Sequence, residues 1–244
     1  MENLGFVLAC IATVAALFIV AALFEKYLVV DRKAFSSTHY IAYTAIFAAL
    51  AGVLMLLEIP LFFAPAFYKI DLSEIPILIC TFYLGPVAGV AAELVKIMVK
   101  LLLKGTSTAF VGDYANFVVG CSFVLPASIL YHAKPGKKTA LMGMVLGTLV
   151  MTVFGSAFNA FYLLPKFSAL FGMPMAAIIG MGTKVNPAIN SVSTLVLFAV
   201  VPFNLLKGVI VSQLTFLLYK RISPILHKGD ARKQQRQGVR KPAA

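Results

Sequence analysis

The feature that most constrains this chain is a succession of apolar runs of about 17 to 25 residues, the length an α-helix needs to cross the hydrocarbon of a bilayer. They begin near residues 3, 39, 75, 87, 114, 139 and 190, some of them broken by Gly or Pro. Hydrophobic residues make up 61% of the 244 and charged residues only 12%, with no Trp and a mean hydropathy of +0.94, which excludes a water-soluble domain. No strand-type alternation suggests a β-barrel, so a helical bundle is the remaining way to satisfy backbone polar groups in lipid. The expected fold class is all-α, a polytopic membrane helical bundle of six or seven spans.

The first run, Leu4 to Phe24, differs from a secretory signal: it follows an acidic start, Met1-Glu2-Asn3, is longer than a signal core, and meets Glu25-Lys26 without a small-x-small cleavage site. It reads as a retained helix. The formal net charge of +12 suggests nucleic acid until its positions are mapped. Eight of the 21 basic residues lie between Lys220 and Lys241; Lys26, Arg32, Lys33 and Lys134, Lys137, Lys138 fall in two interhelical loops. With seven spans these all share one side, while the opposite loops hold Lys69, Lys104, Lys166 and Lys184. The positive-inside asymmetry then places the amino terminus outside and the carboxyl terminus in the cytoplasm. The tail reads as a topology determinant attracted to anionic lipid, with no nucleic-acid role. Cys10, Cys80 and Cys121 lie in apolar runs without metal-type spacing and imply neither disulfide nor zinc.

With that orientation a cytoplasmic linker, EKYLVVDRKAFSSTHY, follows span one (3–24), and an outer loop, EIPLFFAPAFYKIDLSE, follows span two (39–57). Span three (75–84) turns at Gly85-Pro86 into span four (87–103), a tight inner hairpin. The outer segment KGTSTAFVGDYANF enters span five (114–132), the basic turn AKPGKK leads to span six (139–164), which is expected to end at Pro165, and a long outer stretch reaches span seven (190–219). Polar, Gly and aromatic positions concentrate outside, so a cavity should open outward.

No Ser/His/Asp or Cys/His arrangement and no phosphate-binding Gly loop occurs, and an enzyme is not expected. Asn159 in SAFNAFYLLP and Asn204 in VPFNLLKG sit near the outer ends of spans six and seven. An amide offers donors and an acceptor, so two of them can read the polar edge of a heterocycle; interhelical hydrogen bonding accounts for either one equally well. Lys207 lies three residues after Asn204 on the same helical face, either snorkelling to an interface or serving a ligand. Glu93, Lys96 and Lys100 share a face of span four, where an internal Glu93–Lys96 pair is the simplest reading and a substrate route the other. Glu93 is the one carboxylate expected deep in a span, and no fixed negative partner is expected beside Lys207, which suits a neutral ligand rich in oxygens. Gly112 permits close backbone approach at the mouth of span five, with Asn116 one turn later. Phe110, Tyr114, Phe158, Phe161 and Tyr162 offer flat surface for a planar ligand, or form an interface belt and packing. Ala45 and Ala49 on span two form a small-xxx-small pattern for a partner helix or for packing inside the bundle.

Taken together, FYKIDLSEIPILICTFYLGPVAGVAAELVKIMVKLL, FVGDYANFVVGCSFVLPA, FNAFYLLP and VPFNLLKGVIVS resemble, in order and spacing over roughly residues 40–222, the substrate-binding S components of riboflavin transporters of the energy-coupling-factor (ECF) class. The resemblance implies a six-helix S-component fold over 37–222, preceded by an extra transmembrane helix and linker over 1–36 and followed by a basic cytoplasmic tail over 223–244. It implies capture of riboflavin from outside and uptake through a T component and two cytoplasmic ATPases. It also implies ligand contacts at Gly112, Asn159, Asn204 and Lys207, T-component docking at Ala45 and Ala49, and no cofactor beyond the transported vitamin. FMN, another vitamin, or a stand-alone ion-coupled carrier are the alternatives; Lys104 and Lys166 are the cations by location for a phosphate. The segments after spans two and six would close over the ligand.

Overall fold

The computed structural model describes residues 2–28, 37–65 and 67–238, with side chains described for 4–28, 37–65, 67–219 and 221. Arg32 and Lys33 of the linker, and the side chains of the basic tail beyond Arg221, lie outside the described residues.

Five stretches are long and apolar enough to cross a membrane: Leu4–Tyr27, Ser37–Leu54, Val111–Ala133, Lys137–Phe171 and Val192–Tyr219. They belong to helices α1 (Glu2–Leu28), α2 (Ser37–Leu54), α5 (Val111–Ala133), α6 (Lys137–Phe158) with its continuation α7 (Leu164–Phe171), and α9 (Val192–Leu195) with α10 (Val201–Gly238). Two further helices complete the bundle without meeting those criteria. α3 (Glu74–Leu84) has only 11 residues and every one is buried, because α2, α4, α5 and α10 all pack on it. α4 (Pro86–Lys104) is long enough but carries Glu93 and three lysines besides its apolar face.

Between α3 and α4 the chain reverses at Gly85, whose φ of +115° lies where a side chain is strained, and Pro86 starts α4 at a first-turn position where its missing N–H costs nothing. This is the tight hairpin expected from Gly85-Pro86. It marks one end of the bundle, here called lower, together with the 134–136 turn. The upper end carries 55–73, a short antiparallel hairpin of β1 (Ile59–Pro60) and β2 (Lys69–Ile70), and 164–191, which holds α7 and α8 (Met175–Thr183).

α1 lies outside the main bundle against α4 and α5, with 6% of its apolar window buried, as suits a helix that is apolar all round and faces lipid. Its registration comes from three contacts. The Phe6 ring meets Tyr114 edge-on at 5.9 Å, the Thr13 and Tyr114 hydroxyls are 2.9 Å apart, and Glu25 accepts the Val87 N–H at 3.1 Å. The last places a carboxylate at the positive end of α4.

One boundary differs from the sequence expectation. Span six does not stop at Pro165 but runs on through a π-helical turn, Asn159–Leu163, into α7. Span seven has the same device, a π turn at Val196–Val200.

Candidate functional site

Each π turn is followed at the second residue by a proline, Pro165 and Pro202. A proline has no N–H to give and its ring strikes the carbonyl four residues back, here Phe161 and Phe198, both inside the π turns. Widening the turn removes the clash and keeps the helix continuous, at the cost of loosened backbone bonding near the upper end. Asn159 opens the first π turn and Asn204 follows the second.

Both amides are buried, at 7% and 3% exposure. Asn159 Oδ1 accepts the Tyr68 hydroxyl at 2.9 Å and its Nδ2 donates to the Gly155 carbonyl at 2.8 Å. A Cβ built on Gly155 would stand 3.2 Å from Asn204 Nδ2, so this glycine is where α10 brings its amide against α6. Asn204 Nδ2 itself has no hydrogen-bond partner among the described residues. A buried amide left in that state costs about 1–3 kcal/mol unless something else accepts from it. Tyr68 closes over this point, its ring 5.3 Å from Phe203 and its phenol pushed up by burial.

One turn below Asn204, the Lys207 ammonium lies 3.2 Å from Asp71 Oδ2 and 3.7 Å from Glu74 Oε1. Glu74 Oε1 also accepts from Lys96 at 2.9 Å, and Lys96 reaches Glu93 Oε2 at 2.6 Å. The result is a buried chain of alternating charge, Asp71, Lys207, Glu74, Lys96, Glu93, spanning the 55–73 segment, α10, α3 and α4. The Glu93–Lys96 pair expected from spacing is present. Two other expectations are corrected: Lys207 has fixed negative partners, and Glu93 is not alone, since Glu74 is 2% exposed. The physical reason is that an ammonium in a dry interior demands a counter-charge, and residues 71–74 fold inward to supply it. Asp71 is held for the task by Ser73, whose N–H donates to Oδ1 at 2.9 Å and whose hydroxyl donates to the same oxygen. Burial works to raise the Asp71 carboxyl, but the Lys207 and Lys96 ammonium groups and Ser73 outweigh it and hold it below the usual aspartate value. Lys100 does not join this chain; it binds Asp113 Oδ1 at 2.6 Å and the Gly105 carbonyl at 2.9 Å, fastening the α4–α5 connection.

The remaining candidates gather elsewhere. Gly112 donates its N–H to Thr108 Oγ1 at 3.0 Å at the start of α5, Asn116 is exposed, and Phe110, at a φ of +69°, is 54% exposed. Tyr162 packs on Phe158 at 4.8 Å and on Tyr114 at 5.9 Å, a ring cluster that Phe6 of α1 joins. Ala45 and Ala49 are exposed on the outer face of α2, whereas Ala48, Ala51 and Gly52 face α4 and the core. Lys104 is held by Glu58 at 2.9 Å and Lys166 is exposed. Tyr68, Asp71 and Glu74 had no role assigned from sequence. The signal available was a count: two lysines inside apolar helices need more carboxylates than Glu93 alone provides.

The model of the family "ECF transporter, substrate-specific component" matches residues 39–219. The riboflavin transporter RibU of Staphylococcus aureus is 33% identical over 181 residues, covering 74% of this chain and 88% of the relative. The riboflavin transporter FmnP of Bacillus subtilis is 29% identical over 178 residues, covering 72% and 88%. Among solved structures, the S component of a bacterial ECF transporter superposes with a TM-score of 0.61 at 32% identity, covering 78% of this chain and 99% of that one.

Proposed function

The chain belongs to the family of substrate-specific components of ECF transporters, and from that premise we propose that it captures riboflavin for uptake. It is a transport subunit of the plasma membrane and not an enzyme; as an S component it works with an ECF T component and ATPases. The observation that carries the ligand reading is the convergence of Asn159, Asn204 and Lys207 on one buried point, in a chain whose relatives are named riboflavin transporters.

Asn204, with its unspent Nδ2, hydrogen-bonds the polar edge of the flavin or its ribityl hydroxyls, and Asn159 joins it when Tyr68 yields. Lys207 keeps a third N–H beyond those aimed at Asp71 and Glu74, and gives it to a ligand oxygen. Gly112, Asn116, Phe110 and Tyr162 form the mouth, with the aromatic rings available to the isoalloxazine. The segments 55–73 and 164–191 close over the ligand from the upper end, which faces outward, with the carboxyl terminus cytoplasmic and its basic tail on anionic lipid. Ala45 and Ala49 present the small-residue face that the T component docks on, and two ATPases drive the cycle.

The test is the absorption spectrum of protein purified from flavin-containing medium, followed by riboflavin titration of stripped wild type and Asn204→Ala. Near-stoichiometric flavin, with binding weakened by about 1–3 kcal/mol in the variant, is expected. A colourless protein that ignores riboflavin overturns the ligand reading.

A further inference from the structure

We infer that Asp71 sets the charge class of the ligand: by neutralising Lys207 it fits the site to an uncharged flavin and turns away one that carries a phosphate. This rests on the flavin reading above and goes beyond it, since neither the family nor the candidate contacts decide between riboflavin and its phosphate ester.

A buried ammonium with nothing beside it is the group a phosphate would seek. Lys207 is not such a group. Its Nζ stands 3.2 Å from Asp71 and 3.7 Å from Glu74, while Lys96 is held between Glu74 and Glu93. Three carboxylates therefore face two ammonium groups at this depth, and all five side chains are buried. A phosphate, bringing roughly 1.5 to 2 further negative charges, would meet an excess of its own sign where water screens little. An uncharged ligand asks only for the Lys207 N–H that the carboxylates leave over.

Among the three carboxylates Asp71 is the selective one. It comes from the 55–73 segment rather than from a core helix, and Lys96 keeps Glu74 and Glu93 without it. Its Oδ1 is taken by Ser73, so Oδ2 is what Lys207 sees. An Asn here keeps the shape and the acceptor for Ser73 while removing the charge. The cations nearer the surface do not replace Lys207: Lys69 and Lys104 share Glu58 Oε2 and are 42% and 47% exposed, so they influence approach more than residence.

Flavin-stripped full-length protein in detergent is titrated with riboflavin and with riboflavin 5′-phosphate by flavin fluorescence. Wild type should prefer riboflavin. Asp71→Asn should narrow that preference about tenfold or more, chiefly by improving the phosphate ester, and Asp71→Glu should keep it. An unchanged ratio in Asp71→Asn overturns the inference. Should that variant not fold, wild type alone decides: the ester gains its last negative charge near pH 6, so its affinity should fall several-fold from about pH 5.5 to 7.5 while riboflavin holds steady. A flat profile for the ester again overturns the inference. Failure of wild type to bind riboflavin at all is a different result, which removes the flavin reading itself.

Discussion

The two ends of the bundle are held together by different physics. At the lower end helices touch backbone to backbone: a Cβ on Gly143 of α6 would stand 2.6 Å from the Ala127 carbonyl oxygen of α5, and Tyr131, Tyr219 and Phe82 close the space with rings and a hydroxyl contact. At the upper end the helices are parted by π turns, charged side chains and short helical pieces, and the contacts are hydrogen bonds and ion pairs. Close packing cannot be exchanged for anything without a cavity or a clash. A hydrogen bond can pass from a protein group to a ligand at nearly constant energy. The end meant to open is the one built from bonds that have substitutes.

Substitutions can break this contrast. The largest effect belongs to Lys96→Met, which leaves Glu74 and Glu93 facing each other in the core; thermal unfolding in detergent should show about 3–5 kcal/mol lost, or no folded protein. Gly143→Leu should cost about 1–3 kcal/mol or more by forcing α5 and α6 apart, with riboflavin affinity in surviving protein close to wild type. Equal damage to binding would show that the ends are not separable. Tyr68→Phe removes the donor to Asn159 Oδ1 at about 1 kcal/mol, and hydrogen exchange should rise in 55–73 while the lower halves of α5 and α6 stay protected. Acidification supplies the smallest effect. The folded Asp71 carboxyl is depressed below 3.8, so its attachment to Lys207 is in full force above that value and is lost as pH falls beneath it. Exchange in 55–73 should therefore be insensitive to pH, after correction for intrinsic rates, from about 5 to 8.

Much of the lower end was legible from sequence. Gly85-Pro86 announced a reversal because only glycine tolerates the required φ cheaply, and the spacing of Glu93 and Lys96 announced their pair. Asn204 and Lys207 declared a shared face in the same way. What the sequence concealed was tertiary. Asp71 and Glu74 sit in a loop-to-helix stretch whose inward fold no local period records, so Lys207 read as unpaired. Pro165 read as a helix stop because the rule against mid-helix proline assumes an α-helical turn before it, and residues 159–163 are not one. The position of α1 is a middle case: its apolar length gave a span, but Glu25 at the start of α4 and Thr13 beside Tyr114 are known only from the folded chain.

The π turns carry one more implication, for what insertions and deletions can do to this chain. Each holds one residue more than a uniform α-helix would need, so each acts as a phase shifter: removing a single residue from 159–163 or 196–200 would turn everything beyond it by about 100° around the helix axis and slide it by about 1.5 Å. A one-residue deletion at 196–200 would swing Asn204 and Lys207 together off the face they share with Gly155 and Asp71, while leaving their mutual spacing untouched. The aim of the binding residues is thus written in the length of the helix as much as in their identity.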